Sequence, residues 1–302
     1  MEAANTQYVT LSSGNKQPIV GYGTWMMQEK ERDMAVLKKA LKEDGYRHID
    51  TAALYGNEEW IGEAIEDCIK EGVFTREELF VTTKIWCSGV HDVVGNLKES
   101  LARLRLDYVD QYLIHWPVID KEKPVPHHVA WKGMEEVYKL GLAKSIGVSN
   151  WTVALLLDML AFAEVKPAVN QVELHPYLAQ NELVKFCQEK GIAVVAFSPL
   201  GAPGRPAFIQ CGSRSLLEDP VIVEIAKAKG KSAAQVCLQW NIARGVIVIP
   251  KTSNPDRSGE NFNCNDFKLT EEEIEKINKL DCWARGYNSK ELLNIDKVPT
   301  FY

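Results

Sequence analysis

The chain of 302 residues carries 46% hydrophobic and 25% charged side chains, enough apolar material for a sizeable core, which excludes intrinsic disorder. Its 35 Lys and Arg against 41 Asp and Glu leave a net charge of −6, unsuited to a broad phosphate-binding surface, so no nucleic-acid partner is expected. No stretch approaches the ~18 uninterrupted apolar residues of a membrane helix, and residues 1–5 lack the basic cluster and apolar run of a secretory leader; a cytoplasmic protein without membrane attachment is expected.

The first predicted element is a hairpin, Tyr8 to Leu11 and Gln17 to Val20, turning through Ser12-Ser-Gly-Asn15. Short apolar or β-branched runs follow at Ile19 to Thr24, His48 to Thr51, Leu79 to Ile85, Val109 to His115, Ser145 to Val148, Ala168 to Val172, Ala193 to Phe197 and Val246 to Ile249. Between them lie segments of helical period: Asp33 to Lys42, Glu58 to Glu71, Val93 to Leu104, Val129 to Leu140, Leu155 to Phe162, Asn181 to Lys190 and Ser232 to Ile242. Many end at a glycine stop, as at Gly45, Gly141, Gly191 and Gly245.

Strands alternating with helices require a parallel sheet with right-handed crossovers, and near-continuous apolar strands indicate burial on both faces. Eight such units predict a closed (β/α)8 TIM barrel rather than an open sheet, with the hairpin as an N-terminal cap. No linker, charge run or repeat divides the sequence, so a single barrel domain over residues 1–302 is expected.

The seven cysteines are odd in number and scattered, without a Cys-x-x-Cys pair, and predict neither a disulfide framework nor a metal site. Adjacent His127 and His128 lack convergent partners. Gly21-Tyr-Gly23 lacks the third glycine of a Rossmann fingerprint. Gly230-Lys-Ser232, which resembles the tail of a phosphate-binding loop, reads as a helix stop followed by a Ser232 N-cap, with Gln235 completing a capping box.

In such a barrel, polar residues at the carboxyl ends of strands gather on one face, where chemistry is found. Asp50 ends one run with Tyr55 just after it, Lys84 stands near the end of the next, and His115 ends a third. Together they make a plausible proton-transfer set. A Lys84 ammonium beside Tyr55 is expected to lower the phenol's pKa from its usual ~10, Asp50 to hold the lysine, and His115 to donate a hydrogen bond to a substrate carbonyl.

Gly45-Tyr-Arg-His-Ile-Asp50-Thr-Ala-Ala-Leu-Tyr55-Gly-Asn-Glu58, Lys84-Ile-Trp86 and Leu113-Ile-His115-Trp-Pro117 resemble, in order, the signature segments of the aldo-keto reductases, and the resemblance runs over essentially the full chain. It is nearest in pattern to aldose and aldehyde reductases. The resemblance implies Tyr55 as general acid, tuned by Lys84 and Asp50, with His115 orienting the carbonyl. It implies NADPH as cofactor, NADH being weaker. Thr24 falls among the cofactor-binding positions. Ser149, Asn150 and Gln171 match positions that bind the nicotinamide carboxamide, and Phe197 replaces the more common stacking Tyr. Ser198, Leu200 and Gly201 match the pyrophosphate loop. Lys251, Thr252, Ser253, Arg257, Glu260 and Asn261 match the segment gripping the adenosine 2′-phosphate and adenine, where Lys251 and Arg257 offer two cations to one dianion.

Trp25, Trp86 and Trp116, with Tyr55 and His115, are the expected lining of an apolar substrate pocket. Ala207 stands where mammalian aldose reductases carry a pocket Trp, and residues from Trp283 to Tyr302 occupy the place of the variable C-terminal substrate loop. The resemblance thus implies NADPH-dependent reduction of aldehydes, aldoses and some ketones by a monomer whose partner is a small carbonyl compound. A xylose or keto-ester reductase, or a non-catalytic NADPH-binding accessory or structural protein, remain alternatives.

Overall fold

In the computed structural model, which describes residues 7–120, 122–203 and 215–287, Tyr8–Thr10 (β1) and Lys16–Pro18 (β2) pair antiparallel with Tyr8 opposite Pro18. The barrel strands follow: Tyr22–Gly23 (β3), His48–Asp50 (β4), Phe80–Ile85 (β5), Gln111–Ile114 (β6), Ile146–Ser149 (β7), Val169–Glu173 (β8), Ala193–Phe197 (β9) and Ile247–Val248 (β10). All eight pair in parallel with their chain neighbours. The sheet closes on itself where Gly21 N donates to Val248 O at 2.8 Å and Val248 N donates to Ile19 O at 2.9 Å. Six of the eight barrel strands lie within the runs expected from sequence, β7 and β8 each extend one residue past theirs, to Ser149 and Glu173, and the barrel is closed.

Seven helices match the segments of helical period: α1 (Lys30–Lys39), α2 (Glu58–Lys70), α3 (Val93–Leu104), α4 (His127–Lys139), α5 (Val153–Phe162), α6 (Asn181–Glu189) and α8 (Ala233–Ala243). Ser232 caps α8 through the expected box with Gln235. Three further helices were not among those segments: α7 (Pro220–Lys229), α9 (Pro255–Phe262) and α10 (Glu271–Asn278). Each has a local start signal, Asp219 or Asn254 before a proline at the first turn, and Thr270 with Glu273 in a capping box. None lies alone between two barrel strands, so counting βα units does not reveal them.

The hairpin plugs the amino-terminal end of the barrel. Gln17 is fully buried, with its amide 3.3 Å from His48 Nε2 and its Oε1 accepting from Gln111 Nε2 at 3.2 Å. His48 opens β4 and Gln111 opens β6, so the plug ties together the floor of the barrel. Gly21 lies against this floor, where a Cβ would collide with the His48 ring.

Burial lowers the His48 pKa to about 3 from its usual 6.5. Between those values the unfolded chain binds a proton that the folded chain refuses, so stability is full above pH 6.5 and falls as pH drops toward 3. At ~1.4 kcal/mol per pH unit, moving from pH 7 to 5 is expected to cost about 2 kcal/mol through this ring. Urea midpoints at the two pH values measure it, and His48→Gln is expected to shrink the difference. An equal fall in both proteins would clear His48 of the effect.

Cys68, Cys87, Cys187, Cys237 and Cys264 are buried free thiols. Cys282 is disulfide-bonded, a single link where the scattered cysteines predicted no disulfide framework. Among the described residues no helix is long and apolar enough to cross a membrane.

Candidate active site

The parallel register brings three strand ends together. Asp50 is the last residue of β4 and pairs with Thr82 of β5, while Lys84 pairs with Leu113 two residues before His115. A two-residue period puts Thr82 and Lys84 on one face of β5, the lysine one step nearer the carboxyl end. Tyr55 stands on a short 3-10 turn, Ala53–Tyr55, ended by Gly56 at φ 67°, a left-handed conformation that a glycine adopts freely.

Lys84 Nζ donates to Asp50 Oδ1 at 2.6 Å, to Thr51 O at 2.9 Å and to Tyr55 Oη at 3.3 Å. The His115 ring meets that of Tyr55 at 5.6 Å and that of Trp86 at 5.2 Å, both edge to face. All four expected catalytic side chains therefore share one small volume.

Their protonation states correct one expectation. Burial, then the negative charge of Asp50, holds the Tyr55 pKa well above 10, whereas a lowering by Lys84 was expected. Asp50 sits closer to the ammonium than Tyr55 does and cancels much of its field, leaving desolvation to win. Burial likewise lowers Lys84 and raises Asp50, each opposed by the other's charge. Burial and the Lys84 charge hold His115 well below 6.5, a neutral ring near neutral pH.

A second layer fixes this set. Thr24 Oγ1 donates to Asp50 O at 2.9 Å; Asn57 Nδ2 donates to Thr24 O at 2.9 Å and Asn57 Oδ1 accepts from Thr51 Oγ1 at 2.8 Å. Buried Glu58 accepts from Thr83 Oγ1 at 2.6 Å and from Arg103 Nε at 2.8 Å. Asn57 and Glu58 lie inside the signature quoted above, yet their partners stand on other elements and no local pattern points to them. Thr24, expected to touch cofactor, also serves this frame.

Beside Asp50 lies a buried polar cluster. Gln171 Nε2 donates to Asp50 Oδ2 at 2.8 Å, and Gln171 O accepts from Ser149 Oγ at 2.8 Å and from Asn150 N at 2.9 Å. Asn150, held at φ 68°, donates through Nδ2 to His115 O at 3.0 Å. Its Oδ1 is buried with no hydrogen-bond partner. A buried acceptor left over is costly and suits a ligand amide N–H.

Phe197 ends β9 half-buried, as a flat apolar surface. After it Ser198 at φ 47° and Gly201 at φ 69° turn the backbone tightly, Gly201 N donating to Ser198 O at 2.9 Å, with Leu200 half-buried between them. Lys251 Nζ donates to Ser253 Oγ at 2.8 Å, and buried Thr252 accepts at Oγ1 from Asn254 N at 3.0 Å. Exposed Arg257 and buried Asn261 lie on α9, while Glu260 accepts from Ser232 Oγ at 2.6 Å and so braces α9 against α8. The segment is therefore partly helix.

Two charges near it were not anticipated. Burial lowers the Lys251 pKa, Asp33 opposes the change and Arg32 adds to it. Arg32 Nη2 lies 3.0 Å from the fully buried Asp33 Oδ1.

Trp25 and Trp86 are half-buried at the rim and Trp116 is buried. Tyr287, buried, packs edge-on against Trp25 at 5.3 Å and Phe197 at 5.4 Å. Ala207 and residues 288–302 of the expected substrate loop lie outside the described residues.

The sequence profile of the Aldo/keto reductase family matches residues 19–281. An NADP-dependent D-sorbitol-6-phosphate dehydrogenase of Malus domestica is 42% identical over 294 residues, covering 90% of this chain and 93% of its own. Human aldo-keto reductase family 1 member A1 is 42% identical over 291 residues, covering 90% and 89%. Among solved structures, a Bombyx mori aldo-keto reductase in complex with NADP superposes with a TM-score of 0.88 at 38% identity, over 95% of this chain and 97% of the other. Another, complexed with NADPH, superposes with a TM-score of 0.91 at 36% identity over 98% and 94%.

Proposed function

Because this chain belongs to the aldo/keto reductase family, we propose that it is a single-domain, monomeric, NADPH-dependent reductase of small aldehydes, aldoses and some ketones, with Tyr55 as the general acid. The observation that carries the reading is the quartet at the strand ends, in which buried Lys84 Nζ reaches both Asp50 and half-buried Tyr55 while a neutral His115 stands against the same phenol.

The residues present fit the cofactor. The orphaned Asn150 Oδ1, with Gln171 and Ser149, would hold the carboxamide, Phe197 the face of the nicotinamide, and Ser198 with Gly201 the pyrophosphate. Lys251, Thr252, Ser253 and Arg257 would grip the 2′-phosphate, with Asn261 and Glu260 toward the adenine. When bound, the dinucleotide supplies the hydride; the proton is the protein's task.

Tyr55 Oη, its pKa held high, carries its proton across the working pH range and delivers it to the carbonyl oxygen. The nearby Lys84 ammonium stabilises the phenolate left behind, and Asp50 keeps that ammonium charged in a buried place. His115 polarises the carbonyl and sets its angle.

The test follows NADPH absorbance with a panel of aldehydes, aldoses and ketones. Carbonyl-dependent consumption is expected. Tight NADPH binding without consumption would instead favour the accessory reading.

Lys251→Ala tests the cofactor preference. Charge-assisted bonds to phosphate are worth ~1.5–3 kcal/mol, so the NADPH Kd is expected to rise by about 10- to 100-fold while that of NADH changes by less than about threefold. Equal weakening of both, read by fluorescence titration, would remove Lys251 from the phosphate grip.

A further inference from the structure

The two-residue strand period that places Gln171 at the cofactor cleft puts Glu173 on the same face of β8, one step nearer the mouth. Glu173 is fully buried, and a buried carboxylate is retained only where strong donors satisfy it. Its donors are His175 Nε2 at 3.2 Å to Oε1, Gly286 N at 2.9 Å to the same oxygen, and Tyr287 N at 3.0 Å to Oε2. Two of the three belong to a segment more than a hundred positions away.

Neighbouring bonds reinforce the attachment. Cys282 N and Ala284 N donate to Tyr177 O at 3.3 and 3.0 Å, Gln180 Nε2 donates to Glu173 O at 2.6 Å, and Arg285 Nη2 donates to Gln180 Oε1 at 3.1 Å. The chain after β8 thus straps down residues 282–287. The strap ends on Tyr287, whose ring stands between Trp25, just past β3, and Phe197, at the end of β9.

We infer that Glu173 is a positioning residue that seats Tyr287 as an apolar wall of the substrate pocket, and that the wall, with Trp25, selects flat apolar aldehydes over polyhydroxylated ones. The inference rests on the proposed reductase function. Glu173 touches neither substrate nor cofactor; it acts through the Gly286 and Tyr287 amides.

Glu173→Gln, Tyr287→Ala and the double variant test it. In each NADP+-saturated protein the Kd of benzaldehyde, read by tryptophan fluorescence, is expected to rise about tenfold, with that of glyceraldehyde rising less than about threefold. Since both changes remove one wall, the double variant is expected to lose no more than Tyr287→Ala alone. Hydrogen exchange at the Gly286 and Tyr287 amides is expected to speed about tenfold or more in Glu173→Gln.

Additive losses in the double variant, or an unchanged benzaldehyde Kd despite faster exchange, would overturn the inference. If Glu173→Gln does not fold, Tyr287→Ala alone decides, and an unchanged benzaldehyde Kd there overturns it. These readings need no turnover, so a wild type that binds benzaldehyde yet consumes no NADPH counts against the reductase function and leaves the wall standing.

Discussion

Tyr55→Phe is expected to lower kcat by about 10³-fold or more while leaving the NADPH Kd within about twofold of wild type. Phe keeps the ring and its contact with His115, removing only the Oη that lies 3.3 Å from Lys84 Nζ. No other described residue combines a proton held at high pKa with that ammonium. His115, held neutral by burial, has too low a pKa to arrive protonated, so it cannot replace the lost donor near neutral pH. Single-turnover absorbance with saturating aldehyde separates this chemical loss from weaker binding. Retention of most of the activity would remove Tyr55 from its role.

The second large effect belongs to the ion pair. Lys84 is fully buried and Asp50 nearly so, 2.6 Å apart, and removing one partner of such a pair costs about 3–5 kcal/mol because the other charge is stranded. Asp50→Asn is therefore expected to destabilise the fold by about that amount and to reduce kcat, since Lys84, already lowered by burial, would shed its proton and lose its hold on the phenolate. The double variant Asp50→Asn/Lys84→Met strands no charge. It is expected to regain most of the stability and none of the activity, read by urea unfolding and by NADPH consumption. If the double variant were no more stable than the single, the penalty would lie elsewhere than in the stranded ammonium.

The barrel was legible in the sequence because its strands are nearly continuous apolar runs and its helices repeat every 3.6 residues, both local patterns. The convergence of Asp50, Tyr55, Lys84 and His115 was legible because Asp50, Lys84 and His115 each end or nearly end such a run. Residues whose meaning depends on a distant partner were not legible. The contact of Glu173 with Gly286 spans 113 positions. The bond from Gln171 to Asp50, spanning 121, likewise has no local trace. The Tyr55 pKa failed for a different reason: counting neighbouring charges in sequence leaves out desolvation, which here outweighs them.

The Gln17 plug has a kinetic meaning. With Gln17, His48 and Gln111 all fully buried across it, the floor of the barrel offers reactants no way in among the described residues. Ser149, Asn150 and Gln171 lie no more than 2% exposed, whereas Trp25 and Trp86 stand half open at the rim. Whatever occupies the inner place is covered by whatever occupies the outer one. If the dinucleotide takes the inner place as proposed, such nesting predicts that it enters before the carbonyl compound and leaves after the product.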